Sequence, residues 1–135
     1  MTQRVHFLLL GAAALLAACA NGGGDGPPAT ARQAQARFDT LCAARPDRAT
    51  IDRALLEISG DQAIETVGQR DLLRAIPWHL RPAPPGTASA LKGGGRRWSS
   101  GGIPLFGASF VAAAVYLDGE GRVLGCRSTL LHDGP

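Results

Sequence analysis

Three cysteines, Cys19, Cys42 and Cys126, are the side chains in this sequence best suited to covalent chemistry. A thiol beside a membrane can be acylated, and two thiols can form a disulfide where the compartment is oxidising. What each cysteine does therefore depends on the compartment that the chain reaches. The N-terminal residues bear directly on that question.

The first 18 residues have the layout of a secretory signal. Arg4 supplies a positive charge, and the run from Phe7 to Ala18 is apolar and uncharged. The run ends in small residues before Cys19, as cleaved secretory signals do. Its length of about 12 residues is short of the roughly 20 that a membrane-spanning helix needs. We therefore predict that residues 1–18 form a signal peptide that is removed.

The residues Leu16-Ala17-Ala18-Cys19 resemble the lipobox of bacterial lipoproteins. The resemblance implies cleavage after Ala18, attachment of fatty-acyl groups such as palmitate through the Cys19 thiol, and acylation of the new amine. In lipoproteins of the enteric type an Asp after the cysteine retains the protein in the inner membrane. Residue 20 is Ala, so the resemblance implies the periplasmic face of the outer membrane. The alternative is an ordinary secreted protein cut at an A-x-A-like site, in which Cys19 is incidental.

Length and charge limit what the rest of the chain can be. Removal of residues 1–18 from the 135 leaves 117 residues, enough for one small domain. Without Arg4, 13 basic residues oppose 11 acidic ones, and this charge of +2 is too small to indicate a nucleic-acid partner. Residues 19–29 are rich in Gly and Pro and lack hydrophobic periodicity, which predicts a flexible tether. A single domain is then expected at residues 30–132.

Cys42 and Cys126 remain once Cys19 is acylated. An even number of cysteines in an oxidising compartment predicts one disulfide between them. The bond would close a loop of about 84 residues, which the chain-entropy model values at about 4–5 kcal/mol. The alternative is a pair of free, buried thiols that pack as small apolar side chains.

The first half of the domain is predicted to be helical. Thr30 is the N-cap candidate of a helix that runs to Arg45, and Thr50 is the candidate for a second helix. After Asp61 the apolar spacing is interrupted at Gly68, so one kinked helix and two short helices remain open. The apolar faces of the first two helices are Ala34, Phe38, Leu41 and Cys42 in one, and Ile51, Leu55 and Ile58 in the other.

The second half is predicted to be a long loop and a β-hairpin. Residues 77–102 are rich in Pro and Gly and read mostly as loop, with one candidate edge strand at 96–100. Strand-forming residues then flank Asp118–Gly121, where Gly119 is expected to take the positive φ of a type II′ turn. Pairing Leu117 with Arg122 would place Ala113 opposite Cys126. The hydrophobic pattern alone does not identify the core face of this hairpin.

These elements predict an α+β fold. Two or three N-terminal helices would pack on a small antiparallel sheet that ends in the C-terminal hairpin. If the apolar face of the first helix covers the hairpin face that carries Cys126, both sulfurs of the predicted disulfide lie inside.

The sequence contains no recognisable catalytic or metal-binding pattern. The two histidines of the mature chain, His79 and His132, lack other ligand types at a metal-binding spacing. Ser109 precedes a strand and lacks the second glycine of a nucleophile elbow. We therefore expect no catalytic residue, no metal and no cofactor.

The stretch Ile76-Pro77-Trp78-His79-Leu80-Arg81-Pro82 is the best candidate for a binding site. It places an aromatic ring, an imidazole and a guanidinium on a proline-stiffened loop, and binding surfaces favour Trp and Arg on such backbones. Trp78, His79 and Arg81 are therefore the predicted binding residues. The alternative is that Trp78 and Leu80 fold back as a lid on the core.

An anchored domain of helices, a Trp-bearing strand and a C-terminal hairpin is similar in architecture to small outer-membrane lipoproteins of the SmpA/OmlA type, which assist β-barrel assembly. We accordingly expect a lipid-anchored envelope protein, not an enzyme, with a binding or structural role. Its partners would be the membrane, through the lipid anchor, and an envelope protein. The alternative is an envelope enzyme whose site the sequence does not reveal.

Overall fold

The computed structural model describes residues 26–99 and 107–134, and these form an α+β fold. The predicted signal peptide, Cys19 and residues 19–25 of the predicted tether lie outside the described residues. Two helices come first, α1 at Ala31–Ala43 and α2 at Arg48–Ser59. The strands are β1 Glu65–Gly68, β2 Ser89–Gly94, β3 Trp98–Ser99, β4 Ala108–Leu117 and β5 Val123–Asp133. A short helix α3, Leu72–Ala75, and two 3₁₀ turns, Gln69–Asp71 and Trp78–Leu80, lie between β1 and β2.

The two long helices begin at side-chain caps. The Thr30 hydroxyl accepts a hydrogen bond from the Gln33 amide at 3.1 Å, which confirms the predicted start of α1. The prediction that Thr50 caps α2 is wrong, because Asp47 does so by accepting from the Thr50 amide at 2.8 Å. That bond lowers the pKa of the Asp47 carboxyl.

All pairings among the described strands are antiparallel, and β4 is the strand that joins them. Strand β5 pairs along the whole of β4 on one edge. Strands β2 and β3 lie end to end along the other edge, where β2 pairs with Ala112–Leu117 and β3 with Ala108 and Ser109. Strand β1 pairs with β2. The predicted candidate strand around Trp98 is therefore present as β3.

Two predictions for residues 61–102 are wrong. Residues 65–68, expected in a helix, form β1, because Val67 is buried there and β2 supplies its hydrogen-bonding partner. Six residues of the expected loop, Ser89–Gly94, form β2 instead, and its glycines serve close packing. A Cβ at Gly93 would lie 2.8 Å from Leu55 Cδ1, and one at Gly94 only 1.9 Å from the Val111 carbonyl oxygen.

The C-terminal hairpin is confirmed, but its turn and register differ from the prediction. Gly121, with φ of 79°, takes the positive-φ position, whereas Gly119 does not. The Gly121 amide donates to the Asp118 carbonyl at 3.1 Å and the Asp118 amide to the Arg122 carbonyl at 3.0 Å. This is the pattern of a three-residue loop with a bulge glycine. The Asp118 carboxylate accepts from the Arg122 and Glu120 amides, which lowers its pKa.

The register shift has two sources. Leu117 pairs with Val123 instead of Arg122 because the turn is longer, and a bulge between Tyr116 and Leu117 adds one further residue. Cys126 therefore lies opposite Val115 rather than Ala113. A total shift of two residues keeps Cys126 on its predicted face, because side chains alternate along a strand.

Both faces of the sheet are covered. On one face α1 and α2 pack against alternate residues of β4, including Val111, Ala113 and Val115. On the other face the chain from Gln69 to Ala83 crosses over Ala114 and Tyr116. We call the first the helix-side core and the second the outer-side core. The sequence could not identify one core face because each face is a core.

The predicted disulfide between Cys42 and Cys126 is present, with the two Cα atoms 5.8 Å apart. It joins the end of α1 to β5 beside the helix-side core. Both cysteines are partly buried. The predicted packing of α1 on this face of the hairpin is thus observed.

A candidate binding surface on the outer side of the sheet

The chain from Gln69 to Ala83 exposes two large apolar side chains. Ile76 and Leu80 point inward and are fully buried in the outer-side core. Leu73 and Trp78 point outward and remain 78% and 79% exposed. The buried side chains of Ile76 and Leu80 hold the segment on the sheet, and Leu73 and Trp78 are exposed in that arrangement.

Hydrogen bonds to backbone carbonyls hold this segment in place. The Arg81 guanidinium donates through Nε to the Ile76 carbonyl at 2.8 Å and through Nη2 to the Leu73 carbonyl. The Tyr116 hydroxyl donates to the Leu80 carbonyl. Arg127 Nε on β5 donates to the Pro82 carbonyl at 2.8 Å, next to the cis peptide bond between Arg81 and Pro82. The backbone beneath Leu73 and Trp78 is therefore tied to the sheet at several points.

An apolar cleft of about 310 Å³ opens beside Leu73. Tyr116 lies at its base, and burial raises the pKa of this phenol, an effect that Arg127 and Arg81 partly offset. Arg81 is the charged side chain in the lining. The lining residues are Leu72, Leu73, Ile76, Arg81, Pro82, Ala83 and Tyr116. Together, Leu73, Trp78 and this cleft are called the Leu73–Trp78 surface below.

The structure separates the three residues that the sequence nominated for binding. Trp78 is exposed and does not form the lid that the alternative required, whereas Leu80 does fold onto the core. His79 lies between them, with its ring 5.5 Å from the Trp78 ring in an edge-to-face arrangement. Its Nε2 atom is buried and has no hydrogen-bond partner among the described residues. Arg81 is partly buried and serves the backbone of the segment.

Sequence reasoning did not identify Leu73 or Tyr116 as site residues. Leu73 stands between Leu72 and Arg74 in an apolar pattern that predicts burial, so its type carried no signal. Tyr116 belongs to a strand that reads as core. Leu73 and Tyr116 line one cleft only because the segment that also carries Trp78 crosses the sheet at Tyr116.

The surroundings of the surface are positively charged. Arg70, Arg74, Arg81 and Arg127 lie on the segment or directly against it. Among the described residues of Gln69–Ala83 the acidic side chain is Asp71, which pairs with Arg74 at 2.8 Å. The net charge of this segment together with Arg127 is therefore positive.

Trp98, unlike the exposed Trp78, has a structural role. It is buried in the helix-side core, its Nε1 donates to the Pro28 carbonyl at 3.3 Å, and the Arg96 guanidinium lies 4.8 Å from the ring centroid. Pro28 is itself buried. The chain thus enters the described domain beside β3, on the helix side.

Ser109 and His132 form a cross-strand pair at the far end of the hairpin. The Ser109 hydroxyl lies 3.3 Å from His132 Nδ1. Asp133, the next residue, forms an ion pair with Arg97 at 2.7 Å, and successive strand residues point to opposite faces. The carboxylate nearest in sequence to His132 is therefore engaged elsewhere, and the three residues do not form a catalytic triad.

Within residues 26–99 and 107–134, no three His, Cys, Asp or Glu side chains are grouped so that they could hold a metal ion. No helix in these two ranges combines the length and apolar character needed to cross a membrane. A comparison of the chain with protein-family models finds no match, and comparisons with curated proteins and with solved structures find none either.

Proposed function

We propose that this protein is a lipid-anchored lipoprotein of the bacterial envelope, on the periplasmic face of the outer membrane, with a non-catalytic binding role. The observation that carries the binding role is the exposure of Leu73 and Trp78 on a backbone fixed by Arg81. Large exposed apolar side chains beside a cleft are typical of interaction sites. The lipid anchor is supported by the sequence Leu16-Ala17-Ala18-Cys19.

A binding role explains why the fold holds these side chains in water. Covering a Leu or Trp side chain is worth about 1.5–3 kcal/mol, so a segment without a partner would gain stability by turning them inward. The bonds from Arg81 and Arg127 to backbone carbonyls instead hold the segment in the path that leaves them exposed. A preorganised surface loses little conformational entropy on binding, because its side chains and backbone are already in place.

The anchor is tested by the variant Cys19→Ser in cells that express the full chain. Labelled palmitate should be incorporated into the wild-type protein and into Cys42→Ser, but not into Cys19→Ser. We expect the Cys19→Ser protein to persist as uncleaved precursor or to appear in the soluble fraction. Label that persists in Cys19→Ser would show that the anchor is not at this cysteine.

The binding role is tested by a photo-reactive amino acid placed at Trp78 in living cells. The matched control is the same substitution at Leu56, which is 55% exposed on α2, on the opposite layer of the molecule. We expect irradiation to give a defined covalent adduct, to lipid or protein, at position 78 and none at 56. Identical adduct patterns at both positions would contradict a specific surface at Trp78.

A further inference from the structure

We propose that the Leu73–Trp78 surface docks on the anionic headgroup layer of the membrane that holds the lipid anchor. The anchor itself rests on the proposed function above. The surface would then be a second, reversible attachment that fixes the orientation of the domain. Four observations support this choice of partner: shape, charge, rigidity and the position at which the chain enters the domain.

The shape of the surface suits a lipid layer. Leu73 and Trp78 stand 78% and 79% exposed, so they project from the segment instead of lining a closed pocket. Trp has an apolar ring body and a polar N–H, and it is enriched where hydrocarbon meets water in a bilayer. The Leu73 side chain, exposed on the same segment, would enter the upper part of the apolar region.

The projecting area is small for a protein partner. A stable protein interface buries about 800 Å² on each partner. A fully covered aromatic side chain contributes about 150–250 Å², and Leu73 adds less than that. The side chains of Leu73 and Trp78, called the tips below, are therefore too small on their own to hold a separate protein. A membrane needs only shallow insertion of a few apolar groups.

The charge around the tips complements an anionic surface. Arg70, Arg74 and Arg81 lie on the segment and Arg127 bonds to it, against the single carboxylate of Asp71 in Gln69–Ala83. The Arg74 side chain is 86% exposed. Basic side chains near an anionic membrane surface strengthen attachment, and salt weakens that contribution.

The tips are held at a fixed spacing. Arg81 bonds to the carbonyls of Leu73 and Ile76 at once, and so ties the turn that carries Leu73 to the residues that precede Trp78. Insertion of both tips then requires no folding step. The loss of conformational freedom on docking is correspondingly small.

The anchor can reach the same bilayer. The chain enters the domain at Pro28 beside Trp98, on the helix side, while the tips lie on the outer side. The helix layer and the outer segment lie on opposite faces of the sheet, so two layer spacings of about 10 Å each separate them. Six residues, Ala20 to Asp25, separate Cys19 from Gly26, the first described residue, and the seven steps from Cys19 to Gly26 can span about 25 Å when extended. With the sheet parallel to the membrane, the anchor and the tips can both be inserted.

Tethering also makes weak docking effective. A domain held by a short flexible linker experiences its binding surface at roughly millimolar concentration. Two apolar tips and a few arginines are then enough to keep the domain docked for much of the time. Without an anchor, the same surface would bind the membrane only weakly.

The test uses the lipidated protein, purified in detergent and reconstituted into vesicles of phosphatidylcholine alone or mixed with phosphatidylglycerol. The chain has two tryptophans, so Trp98→Phe leaves Trp78 as the reporter. We expect brominated lipids to quench Trp78 in phosphatidylglycerol vesicles, and salt to relieve the quenching. The difference between the wild type and Trp78→Phe gives the same reading without a change in the core.

A charge-matched pair of variants makes the test specific. Arg70→Gln with Arg74→Gln should lower the ratio of docked to undocked Trp78 by about fivefold for each charge removed. Arg32→Gln with Arg53→Gln removes the same charge from exposed positions of α1 and α2 and should leave the ratio unchanged. Equal losses in the two double variants would overturn the proposal.

Other outcomes are equally decisive. Trp78 that stays open to aqueous acrylamide in phosphatidylglycerol vesicles would overturn the proposal. So would protection of Trp78 in Cys19→Ser protein kept free of detergent and lipid, because the surface would then be covered by a second copy of the chain. The mass of the Cys19 peptide reports the anchor independently. A missing acyl group refutes the anchor, and the surface is then read from the quenching of Trp78 at millimolar lipid, which replaces the effective concentration that the anchor would have supplied.

Discussion

Gly119 and Gly121 lie in the same turn and differ in the backbone conformation that each must adopt. Gly121 has φ of 79°, in the left-handed region that side chains with a branched Cβ resist, whereas Gly119 is outside it. A Cβ at Gly119 would meet nothing within 4 Å. The two positions therefore separate the effect of backbone conformation from that of residue type.

We predict that Gly121→Val lowers the free energy of unfolding by about 1–3 kcal/mol, because a β-branched residue is strained at positive φ. Gly119→Val should change it by less than about 0.5 kcal/mol, as most exposed substitutions do. Urea unfolding of the two variants, followed by circular dichroism, gives the comparison. Equal losses would mean that the three-residue loop described for Asp118–Arg122 is not the turn of the hairpin.

The sequence indicated a glycine-dependent turn here but not which glycine carries it. A Gly at the first central position is typical of a type II′ turn, and a Gly two residues later is typical of a type I turn with a bulge. Both patterns occur in Asp118-Gly119-Glu120-Gly121. The bonds from the Glu120 and Arg122 amides to the Asp118 carboxylate favour the second.

At the level of elements, the long helices could be predicted and two of the strands could not. A helix bonds within itself, so the spacing of Phe38 with Ala34 and the cap at Thr30 are sufficient local signals. Strands β1 and β2 depend on partners far along the chain. The glycines that suggested a flexible loop in β2 are there because Leu55 and the Val111 carbonyl approach closely.

The candidate surface was also predictable only in part, because it depends on contacts between residues that are far apart along the chain. Trp78 could be nominated from its type and its proline-stiffened neighbours. The exposure of Leu73 and the cleft above Tyr116 follow from how Gln69–Ala83 crosses the sheet, and no local pattern encodes that path. The disulfide was predictable because its argument needed only the number of cysteines and the compartment.

The disulfide is the element-scale device whose contribution can be measured directly. It joins α1 to β5 across a sequence separation of 84 residues. We predict that replacing Cys42 and Cys126 together by Ala lowers the free energy of unfolding by about 4–5 kcal/mol, the value of the lost chain constraint. The measurement is urea unfolding with and without a reductant. The wild type should lose stability on reduction and the double variant should not, and a wild type indifferent to the reductant would contradict the bond.

At the scale of the whole molecule, β4 is shared by two cores. Val111, Ala113 and Val115 face the helix side, while Ala114 and Tyr116 face the outer side. Neither core can be lost without exposing one face of the same strand. The two helices and the segment that carries the Leu73–Trp78 surface should therefore unfold together, although they do not belong to the same layer.

This coupling gives a prediction that needs no knowledge of function. Leu55 lies in the helix-side core and Leu80 in the outer-side core, and both are fully buried. Replacing either by Ala should cost about 2–5 kcal/mol, the usual range for a large core side chain. Far-ultraviolet circular dichroism and tryptophan fluorescence should report one coincident transition in each variant, because two-state unfolding makes all probes agree. If Leu80→Ala instead produced an early transition seen by Trp78 alone, the outer segment would be a separately melting layer. The rigid spacing of Leu73 and Trp78 on which docking depends would then be lost under mild conditions, while the helix-side core and its disulfide remained folded.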